Sequence, residues 1–203
     1  IRLGTFVPIG WDTKTYTWWQ YPGFRMPEHY FQFGEALTHP LFSGVSSFWD
    51  GLYSTLWLDG WCSGAFLGVP SWNYPLVIAG AWLGLLPTLL IFLGLTVPFI
   101  QMLREKDAPC DIHQRVYLFT AGCLMLYFLA MLHIHLTTPI YSSVKSSYFL
   151  SILPCIALTA LRGFQFLEQR LGARLRNALY AALACWALVA YGAYFSLAPF
   201  QSI

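Results

Sequence analysis

The longest uninterrupted hydrophobic stretch of the chain, residues 75–103, contains no charged side chain and ends at Arg104-Glu105-Lys106-Asp107. Because roughly 20 apolar residues cross the hydrocarbon core of a bilayer as a helix, this stretch predicts a membrane span. Three further apolar stretches follow it, and backbone hydrogen bonding in lipid requires each of them to be helical. The pattern therefore predicts an all-α integral membrane protein with four transmembrane helices, at about residues 76–103, 115–139, 144–166 and 177–199. Pro87 and Pro154 are expected to kink their helices.

The first 74 residues have a different pattern, because acidic residues interrupt each of their apolar runs. Most of the nine tryptophans also lie in this part of the chain, and Trp and Tyr favour the membrane–water interface. We therefore expect two regions, an aromatic-rich loop segment over residues 1–74 and a transmembrane region over residues 75–203. Short interfacial helices are expected near residues 28–37 and 45–58.

The distribution of basic residues predicts the orientation of the chain. Seven of the eleven Lys and Arg residues lie in two connections, between the first and second spans and between the third and fourth. Short loops rich in Lys and Arg stay in the cytoplasm. This predicts a multi-pass protein of the plasma membrane, in which residues 1–74 and the turn at 141–147 are extracytoplasmic.

Composition supports membrane residence and excludes several functions. The chain is 57% hydrophobic and 10% charged, whereas a soluble domain carries about 25% charged residues. A net charge of +2, without a basic run or RNA motif, predicts no nucleic-acid partner. The five cysteines are scattered without a zinc or disulfide pattern. The chain begins with Ile, and we expect it to be part of a longer protein or to assemble with partner subunits. No nucleotide-binding or hydrolase motif occurs.

Lys145 is the charged residue of the predicted outer turn between the second and third spans. A lysine at that depth meets lipid head groups and can hold a substrate phosphate as a point charge. Ser147 and Tyr148 follow it and, with Ser143 and Ser146, could add hydrogen bonds. The alternative is a lysine that anchors the helix at the interface without chemistry.

Asp50 and Asp59 lie in the aromatic-rich sequence SFWDGLYSTLWLDG. Carboxylates in such a setting can act as a general base or as ligands of a divalent metal, and aromatic faces suit sugar rings. No other cofactor is expected. The alternative is a helix-capping or solvated role, and Asp59-Gly60 also reads as a turn. Weaker candidates of the same kind are Glu28, Glu35 and His39.

His133 and His135 raise the possibility of a metal or haem site. Residues two apart point about 200° apart on a helix, so this pair cannot chelate one ion from the same face. A hydrogen-bonded histidine near the interface is the preferred interpretation. The arginines at 162, 170, 174 and 176 could bind anionic lipid, but their position in an inner loop already explains them.

The sequence VKSSYFLSILPCIALTALRGF (144–164) resembles an element of the polytopic GT-C glycosyltransferases, in the group of the protein O-mannosyltransferases and the lipid A aminoarabinose transferase. The resemblance is carried by Lys145, Tyr148, Leu150 and Pro154. The upstream sequence SFWDGLYSTLWLDG is similar to an outer-loop segment of bacterial family 39-like members. Together these matches cover about 35 of the 203 residues.

The resemblance implies a glycosyltransferase that takes a sugar from a polyprenyl-phosphate donor and transfers it on the extracytoplasmic face. Such enzymes carry the catalytic acid in their first outer loop, so a C-terminal portion would lack it. Lys145, Ser147 and Tyr148 would then bind the donor, and Asp50 or Asp59 would line the acceptor side. The alternatives are a non-catalytic subunit of a membrane complex, a haem-bearing electron-transfer subunit and a transporter. The absence of charges from the spans counts against a transporter.

Overall fold

In a computed structural model of the chain, the structure describes residues 27–41, 43–58, 73–104, 111–137 and 145–195. Every regular element in these ranges is helical. Short 3-10 helices cover Ser43–Val45 and Ser146–Ile152. The α-helices are α1 (Glu28–Phe31), α2 (Glu35–Thr38), α3 (Phe48–Trp57), α4 (Tyr74–Leu83), α5 (Leu85–Arg104), α6 (Ile112–Thr137), α7 (Leu153–Arg170) and α8 (Ala173–Phe195).

Within the described ranges, three helical segments are long and apolar enough to cross a membrane: Tyr74–Arg104, Ile112–Thr137 and Tyr148–Arg170. They correspond to the first three predicted spans, and their length and composition indicate a helical membrane protein. Helix α8 occupies most of the predicted fourth span. It is not one of these three segments, so the fourth crossing stays a prediction.

Pro87 and Pro154, the two prolines expected to kink their helices, lie near the boundaries of helices. The first span is interrupted at Gly84, and Pro87 stands in the first turn of α5. Pro154 stands in the first turn of α7, directly after the 3-10 helix Ser146–Ile152. A proline in a first turn removes a donor that has no helical partner there. Pro87 and Pro154 thus lie where one helix gives way to the next. Pro98, by contrast, lies inside α5.

Helices α5 and α7 form the most extensive contact of the bundle, and two glycines make it possible. A Cβ atom on Gly94 of α5 would overlap the carbonyl of Thr159, and one on Gly163 of α7 would overlap the carbonyl of Leu90. The two backbones therefore touch directly. In lipid, where the solvent is as apolar as the side chains, such close approach over small residues supplies the packing energy between helices.

The N-terminal helices pack on one end of the long helices, and we call residues 27–58 the cap. One side of α3 meets α4 and α8 in a cluster that contains Tyr53, Leu58, Val77, Ala81 and Ala193. The other side meets α6, α7 and the preceding 3-10 helix in a cluster that contains Phe48, Leu124, Met131, Phe149 and Ile156. These contacts involve α4, the first turn of α7, the second half of α6 and the end of α8. The cap therefore covers a single end of the bundle, which we call the cap end.

Two hydrogen bonds join α3 to the interrupted first span. The Tyr53 hydroxyl donates to the carbonyl of Ala81, and Trp57 Nε1 donates to Thr88 Oγ1 at 2.7 Å. Burial raises the pKa of the Tyr53 phenol, which keeps it a neutral donor. Gly84 leaves room for this contact, because a Cβ atom there would lie 2.9 Å from the Tyr53 hydroxyl oxygen.

Replacing either glycine of the α5–α7 contact by alanine is expected to destabilise the bundle. The added methyl group would force two backbones apart, and overpacking of a tight interface costs about 1–3 kcal/mol. Gly122→Ala in α6 is the matched control, because a Cβ atom at Gly122 meets nothing within 4 Å. Thermal unfolding in detergent should show lower midpoints for Gly94→Ala and Gly163→Ala, and an unchanged or higher midpoint for Gly122→Ala. Equal midpoints for all three variants would contradict the proposed contact.

Candidate functional site

The carboxylate of Asp50 lies in the buried centre of the cap, with 1% of the residue exposed. Its Oδ1 accepts hydrogen bonds from the backbone N–H groups of Gly34 at 2.9 Å and Ala36 at 2.8 Å. Its Oδ2 accepts from the Ser47 hydroxyl at 2.7 Å. Asp50 thereby satisfies the first N–H groups of α2 and fixes α2 against α3.

The sequence Ser47-x-x-Asp50 produces this arrangement locally. Ser47 is the N-cap residue of α3, and its hydroxyl oxygen accepts from the Asp50 N–H at 3.0 Å. This is the first half of a capping box, the pattern in which the third residue of the helix bonds back to the cap. The reach to α2 depends on Gly34, whose φ of 141° suits glycine and directs its N–H at Asp50. The geometry favours the capping interpretation of Asp50, and its catalytic role stays a prediction.

The predicted donor-binding residues lie beside the cap. Lys145 is half-buried and directly precedes the 3-10 helix Ser146–Ile152. The Ser146 N–H donates to Thr55 Oγ1 of α3 at 2.9 Å. Tyr148 is 52% exposed, and its carbonyl accepts from the Tyr127 hydroxyl of α6. The side chain of Ser147 lies outside the described part of the structure.

The structure joins the two predicted regions through helix α3. Asp50 lies in the first turn of α3, and Thr55, which holds the segment that begins at Lys145, lies on the same helix. Phe48 of α3 and Phe149 of the 3-10 helix share one buried cluster. Asp59 falls outside the described residues. Of the weaker candidates, Glu35 and His39 form an exposed pair at 3.2 Å on α2.

A histidine pair, which the sequence analysis did not find, lies where the cap meets α6. The Nε2 atoms of His29 and His135 are 3.4 Å apart, and both residues are buried. The rings stack with centroids 5.5 Å apart, and Tyr30 and Phe48 pack against His135. One ring must donate and the other accept, because two protonated rings at this distance would repel each other. No spacing rule links residues 106 positions apart.

His135 and His133 have separate environments, as the helical periodicity predicts. His135 is fully buried against the cap, whereas His133 is exposed. The pair therefore does not converge on one ligand. Among the residues that the structure describes, no group of three or more His, Cys, Asp or Glu side chains could hold a metal ion.

Exposed aromatic side chains line the cap near Asp50. Phe31 is 86% exposed, Phe33 is 48% exposed and Trp49 is 37% exposed. Trp49 is held in place, because its Nε1 donates to the Tyr30 carbonyl at 2.8 Å and its ring stacks on Phe128 at 5.5 Å. Such fixed ring faces can pack against apolar C–H surfaces.

Comparison of the chain with protein-family models, curated proteins and solved structures gave no match in any of the three.

The cap is expected to loosen in acid through His29. Burial lowers the pKa of His29 below its ordinary value of 6.5, and a hydrogen bond with the Ser46 backbone opposes this shift. A lowered pKa means that the unfolded cap binds the proton more tightly, so stability is complete above pH 6.5 and falls as the pH drops below it. Hydrogen exchange of residues 28–57 should therefore accelerate between pH 7.5 and about pH 5, after correction for the intrinsic rate.

His39→Gln is the control for this titration, because His39 is exposed on α2. The control should keep the acid response, and His29→Gln should reduce it. A cap whose protection stays constant across this range would show that the His29–His135 contact does not titrate.

Proposed function

We propose that this chain is the membrane-embedded C-terminal portion of a GT-C-type glycosyltransferase, which transfers a sugar from a polyprenyl-phosphate donor on the extracytoplasmic face. The observation that supports the proposal best is the hydrogen bond between Ser146 and Thr55. It joins the segment that begins at Lys145 to the helix that carries Asp50. Lys145, the proposed cation for a lipid phosphate, thus belongs to the same end of the bundle as Asp50, a carboxylate among aromatic rings.

In this proposal Lys145 contacts the donor phosphate, with Ser147 and Tyr148 beside it. The exposed rings of Phe31, Phe33 and Trp49 contact sugar. Transfer needs a base at the acceptor hydroxyl and a cation at the departing phosphate. Asp50 or Asp59 would line the acceptor side, while the main catalytic acid belongs to a part of the protein outside this chain.

The proposal includes four spans, with the cap end outside the cytoplasm of the cell. Helix α8 packs along α4, and Ala193 shares a buried cluster with Val77. A helix of 23 residues beside a span is long enough to cross the bilayer with it. Four crossings place the basic connections on one side and the cap on the other.

A non-catalytic subunit is the second candidate, and the bonding of Asp50 favours it. A carboxylate with three donors has little freedom to act as a base, and residues that only hold the cap together fit a docking surface. Phe31 and Phe33 would then contact a partner. Purification in a fixed ratio with another protein, without binding of lipid-linked sugar, would support this candidate.

The topology is tested by labelling single cysteines in intact cells. Variants that keep only Cys62 or only Cys110 are treated with a membrane-impermeant maleimide. Cys62 precedes the first span and should react in intact cells, whereas Cys110 follows it and should react only after permeabilisation. The reverse pattern would overturn both the orientation and the glycosyl-transfer proposal.

The donor site is tested by Lys145→Ala in the full-length protein, with transfer from lipid-linked sugar as the measurement. Loss of a charge that stabilises a leaving phosphate is expected to lower kcat about a hundredfold. Lys106→Ala is the matched control, because Lys106 lies in the basic loop predicted to be cytoplasmic, and its activity should be unchanged. Unaltered transfer by Lys145→Ala would rule out the phosphate role.

A further inference from the structure

A polar cavity lies at the end of the bundle opposite the cap. Its volume is about 230 Å³, and it is an open cleft bordered by the end of α5, the start of α6 and the middle of α7. The polar side chains that line it are Gln101, Asp111, His113, Gln114, Tyr117 and Arg162. A cavity with so many polar groups at the end of apolar helices requires an explanation, because polar groups inside membrane segments are costly and usually functional.

Arg162 has unused hydrogen-bonding capacity. Its Nη2 donates to Gln101 Oε1 at 2.6 Å, and its guanidinium carbon lies 5.2 Å from the centroid of the Tyr117 ring. Its Nε is buried and has no hydrogen-bond partner in the described part of the chain. A guanidinium carries five N–H donors in a planar fork, so several remain for a ligand.

In the part of the chain that the structure describes, no carboxylate lies within ion-pair distance of this guanidinium, although Asp111 lines the same cavity. Within the described residues, Arg162 forms no ion pair closer than 4 Å with Asp111 or Glu168. Leaving a charged group partly buried without a counter-ion is strongly unfavourable. An anion bound in the cavity would therefore stabilise Arg162, and the fork geometry of arginine suits the oxygens of a phosphate.

The depth of the cavity matches that of phospholipid head groups. Gln101 lies three residues before the end of α5, roughly 5 Å along the axis. Tyr117 lies five residues after the start of α6, roughly 7 Å along the axis. The head-group layer adds roughly 5–8 Å on each side of the hydrocarbon core, so the cavity and this layer coincide.

The surroundings of the cavity are apolar and exposed. Leu103, Val116 and Leu161 lie next to the lining residues in sequence and are 63%, 43% and 44% exposed. These side chains suit contact with acyl chains, whereas a site for a free ion needs no such surface. From this combination we infer that the Arg162 cavity binds the phosphate group of a membrane phospholipid, with Gln101 and Tyr117 holding the guanidinium in place.

Phospholipid retained after purification tests this inference. The full chain is washed extensively in a non-lipid detergent, and the bound phospholipid is measured by native mass spectrometry and phosphorus analysis. Arg162→Gln is expected to weaken retention about tenfold, because a hydrogen bond to a charged group contributes about one such factor or more. Arg162→Lys should retain lipid partially, because a lysine is a point charge without the fork.

Arg174→Gln is the matched control, because Arg174 is exposed at the start of α8 and does not line the cavity. Gln101→Glu gives an independent reading if Arg162→Gln fails to fold. A carboxylate at position 101 would pair with Arg162 internally, so it should expel the phospholipid while keeping the helices together.

Two results would overturn the inference. One is equal lipid retention by the original chain and the folded Arg162→Gln and Gln101→Glu variants. The other is an Arg162-dependent interaction with inorganic phosphate in detergent without any retained phospholipid, which would assign the cavity to a free anion. The inference is supported if Arg162→Gln and Gln101→Glu lose the phospholipid while Arg174→Gln keeps it.

Discussion

The direct backbone contact between α5 and α7 determines where the other elements lie. Gly94 and Gly163 allow the two helices to meet without intervening side chains, which in lipid supplies attraction that hydrophobicity cannot. Helix α7 then extends from this contact in both directions. Towards the cap it begins after the 3-10 helix that follows Lys145, and directly before Gly163 it carries Arg162 beside Gln101. One crossing point thus sets the positions of both regions for which we propose binding.

The cap and the spans satisfy their polar groups in different ways. The long helices bond their backbones internally, as a bilayer requires. The cap consists of short helices whose first N–H groups have no helical acceptor, and Asp50 provides acceptors for two of them. Other polar contacts of the cap cross to the spans, among them those from Thr55 to Ser146 and from His29 to His135. The cap is therefore built around specific hydrogen bonds, and its shape depends on the presence of the spans.

Much of this architecture is readable from the sequence, because hydrophobic length and proline position are local signals. The three long apolar helices and the helices near residues 28–37 and 45–58 follow from such signals, and Ser47-x-x-Asp50 has the form of a cap. The His29–His135 contact and the Ser146–Thr55 bond are not readable, because they join residues 106 and 91 positions apart. The role of Gly94 could not be predicted from the sequence either, since a glycine in an apolar run does not show which helix it contacts. Pairing between distant elements is a property of the folded chain.

The bonds from Tyr53 to Ala81 and from Trp57 to Thr88 have a consequence for biogenesis. Both donors leave the ribosome before their acceptors, since chains are made from the N-terminus. Helix α3 consequently emerges with its aromatic side uncovered and finds these two partners only after the first span has been made. In a chain whose insertion is incomplete, the tryptophan-bearing helix α3 would still be undocked and therefore accessible to quality-control proteases.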